Sequence, residues 1–251
     1  MNKTAIITGG SRGLGKNMAL KIAEKGIDVI LTYQSQKEKA DEVVREIQTK
    51  GQKAAAFQLE ASKTDSFDNF FREVSSYLEK TNGSPNFDFL INNAGIGNSS
   101  SITTTTEEDF DTLASVHLKG VYFLTQKAIP FINNGGRIIN LSTGLARFAI
   151  PGYSAYAMMK GAIDVFTRYL AKELGEKGIT ANTIAPGAIE TDFHGGAVRD
   201  NKQLNEYIAS TISLGRVGLP EDIGGVVAFL CTEEGRWVNA QRIEVSGGQS
   251  I

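Results

Sequence analysis

The chain has 251 residues, 41% of them hydrophobic and 22% charged, with a formal net charge of −2. That length holds one large α/β domain or two small ones, with apolar side chains enough for a sizeable core. The charge balance argues against nucleic acid or an anionic membrane as partner, and no apolar run reaches membrane-spanning length. Met1-Asn2-Lys3-Thr4 runs directly into strand-like sequence, which gives an expectation of no signal peptide. Cys231 is the only cysteine, so no intramolecular disulfide can form; it lies in an apolar run and reads as core packing. Two histidines, His117 and His194, argue against a structural zinc site. The cytoplasm is the simplest compartment.

Strand-like and helix-like segments alternate along the chain. Residues 5–8 predict a strand, and residues 14–25 a helix stopped by Gly26. Residues 28–32 follow as a strand, and residues 37–50 as a charged amphipathic helix with Ala40, Val43, Val44 and Ile47 on one face. A strand at 53–58 leads to a helix at 65–80 with Phe67, Phe70, Phe71, Val74 and Leu78 inward, then a strand at 87–91. Thr105 with Glu108 has capping-box spacing and predicts the start of a helix running toward Ile132. Asn133-Asn134-Gly135-Gly136 reads as its break, before an unbroken apolar strand at 137–141. A long helix at 154–176, a strand at 179–185 stopped by Pro186-Gly187, a helix at 221–231 and a strand at 242–245 complete the pattern. Residues 188–215 lack strand character. No repeat of solenoid length and no Pro- or Ser-rich linker occurs, so no domain boundary is expected. The alternation predicts a parallel, doubly wound Rossmann-type sheet of about seven strands with helices on both faces.

Five features lie where strands of such a sheet would end. Thr8-Gly9-Gly10-Ser11-Arg12-Gly13-Leu14-Gly15 joins a strand to a helix N-terminus, an arrangement that cradles anions. Asn92-Asn93-Ala94-Gly95 follows the fourth strand and by itself is a turn signal. Ser142-Thr143 ends the fifth, where a hydroxyl can meet a carbonyl substrate or simply cap a loop. Tyr156 and Lys160 are one helical turn apart, so phenol and ammonium share a face. A neighbouring cation favours phenolate, which predicts a lowered Tyr156 pKa and a route for a proton. Ala185-Pro186-Gly187, with Thr191 beyond, ends the sixth strand.

With these motifs, and with Gly235, Gln241, Ile243, Val245, Gly247 and Gly248 near its end, the chain resembles the short-chain dehydrogenase/reductase family from Thr4 to Gly248. Within that family it looks most like 3-oxoacyl-acyl-carrier-protein reductases and related ketoreductases. The resemblance implies Tyr156 as acid–base residue, with Lys160 binding the nicotinamide ribose. It implies that Gly9, Ser11, Arg12, Gly13 and Leu14 line the phosphates and adenosine, and that Asn92 and Ala94 line the adenosine ribose side. Ile189 would offer backbone to the carboxamide, Pro186, Gly187 and Thr191 belong to the same cofactor set, and Glu60 stands where the family has an Asp reaching the adenine. Two positions depart from the pattern. Thr143 stands for the family's substrate-orienting Ser, with Ser142 as rival. His117 stands for an Asn that helps hold a relay water, and an ordinary imidazole titrates near neutrality.

These assignments imply reduction of a ketone, or the reverse oxidation, with residues 188–215 as a lid over a small-molecule carbonyl substrate. The alternative is a dinucleotide-binding sensor or non-catalytic subunit on the same fold. An NAD-preferring site needs an acid near the end of the second strand. Thr32-Tyr33-Gln34-Ser35-Gln36 has none, while Arg12 and Lys37 suit a 2′-phosphate, so NADPH is the expected cofactor. Apolar residues on more than one face of two helices (Val121, Phe123 and Leu124; Val165, Phe166 and Leu170) together with the resemblance imply a homotetramer.

Overall fold

Short apolar runs bounded by glycine and proline form strands buried on both faces, as parallel sheets require. A computed structural model describes residues 2–251. Its strands are β1 (Thr4–Ile7), β2 (Asp28–Tyr33), β3 (Ala54–Gln58), β4 (Phe87–Asn92), β5 (Ile132–Leu141), β6 (Thr180–Pro186) and β7 (Arg242–Val245). They make one parallel sheet in the order β3-β2-β1-β4-β5-β6-β7. Side chains alternate across it. Ile7, Leu31 and Ile91 enter one core with Met18, Ile22 and Val227. Ile6, Ile30 and Leu90 enter the other with Phe67, Phe71 and Leu170. The first core is covered by α1 (Gly13–Ala23), α2 (Lys37–Thr49) and α9 (Pro220–Leu230). The second is covered by α3 (Phe67–Asn82), α5 (Val121–Ala128) and α6 (Ser154–Glu173). No helix among the described residues is long and apolar enough to cross a membrane.

Three local expectations are corrected. The segment Asn133–Gly136 is no break: β5 begins at Ile132, which pairs with Phe87, while Arg137 pairs with Phe89. The extra residues form a bulge, and Gly136 is obligatory there because a Cβ would stand 2.6 Å from the Asp88 carbonyl oxygen. The cap of α4 (Glu107–Ala114) is Thr106, whose hydroxyl accepts from the Asp109 N–H at 3.1 Å; Thr105 bonds Ser100 and Ser101 instead. The helix runs on toward Ile132 as expected, through one π-helical turn, Ser115–Gly120, between α4 and α5 (Val121–Ala128). Pro186 is the last residue of β6 rather than its stop, paired with Val245 at the side of β7. The segment 188–215 carries two short helices, α7 (Ala197–Asp200) and α8 (Lys202–Ser210).

Candidate active site

The carboxyl ends of β1, β4, β5 and β6 bring the glycine loop, Asn93, Thr143 and Gly187 to one edge. The loop is braced by side chains. Thr32 Oγ1 accepts from Gly9 N at 3.1 Å, and Thr8 Oγ1 accepts from both Asn93 N and Ala94 N at 2.9 Å. Asn93 Nδ2 donates to the carbonyls of Thr8 and Gly9. A Cβ at Gly15 would overlap the Gly9 carbonyl, and Gly9 itself has φ +66°, so neither position admits a side chain cheaply. Arg12 caps α1 in extended conformation, and the first helical bond runs from Lys16 N to Arg12 O. The N–H groups before Lys16 therefore face out of the helix, where an anion is favoured.

Positive charge collects beside this loop. Arg12 Nη1 lies 3.6 Å from Asp192 of the segment after β6, and Lys39 lies close enough to help lower the Asp192 pKa, after the larger effect of Arg199. Lys37, expected at this spot, is held by Asp41 at 2.6 Å. Glu60 pairs with Lys63 at 3.0 Å. The Asn92 side chain does not line the cleft as expected. It is buried, donating to Asn140 Oδ1 and Thr125 Oγ1, which leaves its main chain alone for a nucleotide. Thr191 packs over Gly13, and Ile189 bridges to Gly218. The Ala188 N–H donates to Gln249 Oε1, so the C-terminal residues brace the Pro186-Gly187 turn.

Tyr156 and Lys160 share one face of α6, with the ammonium 5.9 Å from the phenol ring centroid. Lys160 Nζ donates to the Leu141 carbonyl at 2.7 Å; burial pushes its pKa down to about 8 while Asp164 opposes the shift. Burial also holds the Tyr156 phenol above its ordinary value, opposed by a hydrogen bond with Thr143 and helped by Tyr153. Desolvation is the largest influence on this phenol; the expected lowering belongs to a phenol that has both Lys160 and a positively charged nicotinamide beside it. The hydroxyl register is legible here. The Thr143 hydroxyl acts on Tyr156, whereas Ser142 Oγ donates to the Lys160 carbonyl at 3.1 Å.

His117 sits in the π turn, its ring edge-on to Tyr156 with centroids 5.1 Å apart. Nε2 bonds the Ile96 carbonyl at 2.8 Å, and Nδ1 is buried without a protein partner. A Cβ at Gly95 would stand 2.8 Å from its Cε1. Burial, with a contribution from Lys160, pushes the His117 pKa down to about 3, so it does not titrate near neutrality as expected. The imidazole beside Tyr156 is neutral.

Two residues behind the site carried no sequence signal. Arg242 of β7 donates to the Thr143 carbonyl at 2.9 Å and pairs with Asp164 at 3.1 Å, one helical turn beyond Lys160. The same guanidinium meets Glu244 at 2.9 Å.

A family model described as "Enoyl-(Acyl carrier protein) reductase" matches residues 9–250. The chain is 37% identical over 250 residues to a 3-oxoacyl-acyl-carrier-protein reductase of Staphylococcus aureus, covering 99% of this chain and 98% of that protein. It is 34% identical over 257 residues to a hydroxynaphthalene reductase-like protein of Metarhizium robertsii, covering 98% and 94%. The solved structure of an angucycline C-6 ketoreductase with bound NADP superposes with TM-score 0.94 at 34% identity, covering 99% of this chain and 95% of that one. Full-length identity at this level, joined to the glycine loop, the Asn93 brace and the Thr143–Tyr156–Lys160 group at one sheet edge, makes the chain an oxidoreductase of the short-chain dehydrogenase/reductase family.

Proposed function

We propose that the protein is an NADPH-dependent ketoreductase. The observation that carries this reading is the placement of Tyr156 and Lys160 on one face of α6, with the ammonium 5.9 Å from the phenol ring, beside Thr143 at the sheet edge that also holds the glycine loop. The nicotinamide, when bound, supplies a hydride to the carbonyl carbon. Tyr156 gives its proton to the carbonyl oxygen, and Thr143 orients that oxygen. A phenol held above its ordinary pKa stays protonated at neutral pH, which is the form reduction needs. His117 is assigned to the same site as a neutral hydrogen-bonding group beside Tyr156.

The glycine loop, Arg12, the Asn92 main chain, Ala94, Glu60, Pro186, Gly187, Ile189 and Thr191 form the nucleotide site in this reading. Arg12 and Lys39 take the 2′-phosphate, supported by the absence of an acid in 33–36. The chain is one dinucleotide-binding domain, with residues 188–215 as the lid, a cytoplasmic address and a homotetrameric assembly. The relatives named above support a 3-oxoacyl group on acyl carrier protein as one substrate class and ring ketones of the hydroxynaphthalene or angucycline kind as another.

A ketone panel followed by NADPH absorbance tests the reading. Turnover with NADPH exceeding that with NADH in kcat/KM supports it, and silence across the panel favours the non-catalytic alternative. Tyr156→Phe should keep cofactor affinity and lose about 10²–10⁴-fold in kcat, the range of a general acid. Retention of more than a small fraction of kcat rules Tyr156 out as the acid.

A further inference from the structure

His194 is the residue of the lid segment that the sequence and the reaction leave without a task. Its backbone has φ +57° and ψ +37°, a left-handed conformation that non-glycine residues rarely adopt, and Gly195 and Gly196 continue the left-handed turn. Asn, Asp and His are the side chains that tolerate it best. The turn places the imidazole between three elements. It packs edge-on against Tyr153 at the start of α6, with centroids 5.6 Å apart, and against Phe193 at 6.1 Å. Its Cγ would stand 3.2 Å from a Cβ on Gly97, so the ring lies tightly against the loop after β4, where a side chain at residue 97 would press on it. Phe193 in turn lies 6.1 Å from the Tyr156 ring. The imidazole is therefore a near neighbour of the reacting centre, one aromatic ring removed from the catalytic phenol.

The polar end of that ring faces inward. Nε2 is buried and has no protein hydrogen-bond partner. Buried polar groups are nearly always paired, and an orphan in a rarely adopted backbone conformation beside an active site points to a ligand. A neutral imidazole nitrogen donates or accepts according to its tautomer, so it can meet either a hydroxyl or a carbonyl. The flanking rings of Tyr153 and Phe193 add flat apolar walls.

Resting on the ketoreductase reading, we infer that His194 is a specificity-determining residue: its Nε2 hydrogen-bonds a second oxygen on a flat, ring-containing ketone whose reacting carbonyl lies at Tyr156. A long flexible acyl chain without such an oxygen gains nothing from this group. A substrate carrying the oxygen satisfies a buried nitrogen that is otherwise unpaired, and sites built in this way discriminate by the presence of the polar group.

The test compares α-tetralone with its ring-monohydroxylated isomers. Two readouts are taken: NADPH-supported kcat and KM, and calorimetric affinity for the NADP⁺-saturated protein. For at least one isomer the wild type should show a preference over α-tetralone of about 5–10-fold in KM and affinity, as expected for one neutral hydrogen bond. His194→Phe keeps a ring against Tyr153 and removes the nitrogen. His194→Asn tolerates the left-handed backbone and is too short to replace it. Both should erase the preference while leaving α-tetralone turnover within about threefold of wild type. A wild type without preference for any isomer, or a preference that survives both substitutions, overturns the inference even if ketones are reduced. A binding preference lost in both variants without any ketone turnover sustains the inference about His194 and instead sinks the reductase reading.

Discussion

The methyl and hydroxyl of Thr143 have separable duties. The hydroxyl meets Tyr156, and it also accepts from Leu145 N at 3.3 Å to start the following turn. Thr143→Val should lower kcat by about 10²-fold, the scale of a lost donor to a developing oxyanion, and Thr143→Ser should be nearly silent. Ser142→Ala loses the bond to the Lys160 carbonyl, so it should cost about 1 kcal/mol of stability and little kcat. Steady-state kinetics with chemical denaturation separates the two positions; a larger kcat loss in Ser142→Ala would reverse the assignment. His117 gives a second prediction, in pH. Its folded pKa of about 3 lies below the ordinary value of 6.5. Between those values the unfolded chain carries a proton that the folded chain does not, so stability falls as pH drops from 6.5 toward 3. Each unit is worth about 1.4 kcal/mol, which reaches the order of 5 kcal/mol at the acid end. His117→Gln should remove this part of the acid sensitivity; parallel acid limbs in the two proteins would show that the burial of His117 is not its cause. The residues themselves were legible in the sequence, since Thr143, Tyr156 and Lys160 stand at predicted strand and helix ends. Their protonation was not, because burial depends on what the π turn, β5 and the segment after β6 bring against them.

At the scale of elements, parallel strands with helical crossovers were readable because apolar runs, glycine stops and amphipathic faces agreed. The failures came where one tertiary contact overrode local preference. Asn133–Gly136 has turn composition, yet it pairs with β4 through a bulge that closes on Asp88. The helix after Thr106 has no breaker at Ser115, yet it widens to a π turn that seats His117 beside Tyr156. Gly120 at the end of that turn has no room for a Cβ, which would overlap the Ala61 carbonyl. β7 was predicted within its observed bounds, but its function was invisible: Arg242 ties Asp164 on α6 to the Thr143 carbonyl on β5. Arg242→Met strips Asp164 of its partner in a mostly buried site, which should cost about 3–5 kcal/mol. Because Asp164 opposes the downward shift of Lys160, Asp164→Asn should move the alkaline limb of the kcat–pH profile to lower pH. The double variant Asp164→Asn with Arg242→Met should recover much of the lost stability, since neither charge is then left alone. Thermal denaturation of the four proteins measures the coupling, and purely additive losses would mean that the pair is not an interacting unit.

For the whole molecule, the apolar residues that suggested assembly divide by face. Val121, Leu124 and Leu170 are buried, the last two within the core between the sheet and its helices. Phe123, Val165 and Tyr169 remain 37%, 44% and 63% exposed, and Phe166 is only partly covered. Tyr122, 44% exposed, joins them through ring contacts of 5.2 Å with Phe123 and 4.8 Å with Phe166. The outer sides of α5 and α6 thus meet in an aromatic cluster of Tyr122, Phe123 and Phe166, with exposed Val165 and Tyr169 on the same helix that carries Tyr156 and Lys160. Contiguous patches of this kind on a folded domain mark association surfaces, and a stable interface needs about 800 Å² from each partner. A self-complementary contact across a twofold axis would bury the patch in both subunits and stiffen α6 behind the catalytic pair. Light scattering at micromolar concentration should therefore give an oligomeric mass, a tetramer in the proposed reading. Tyr169→Asp places a charge on the exposed side of α6 and should shift the mass downward, with kcat falling because α6 loses its support. A monomeric mass for the unaltered protein, or an unshifted mass in Tyr169→Asp, would assign the patch to the monomer's own surface instead.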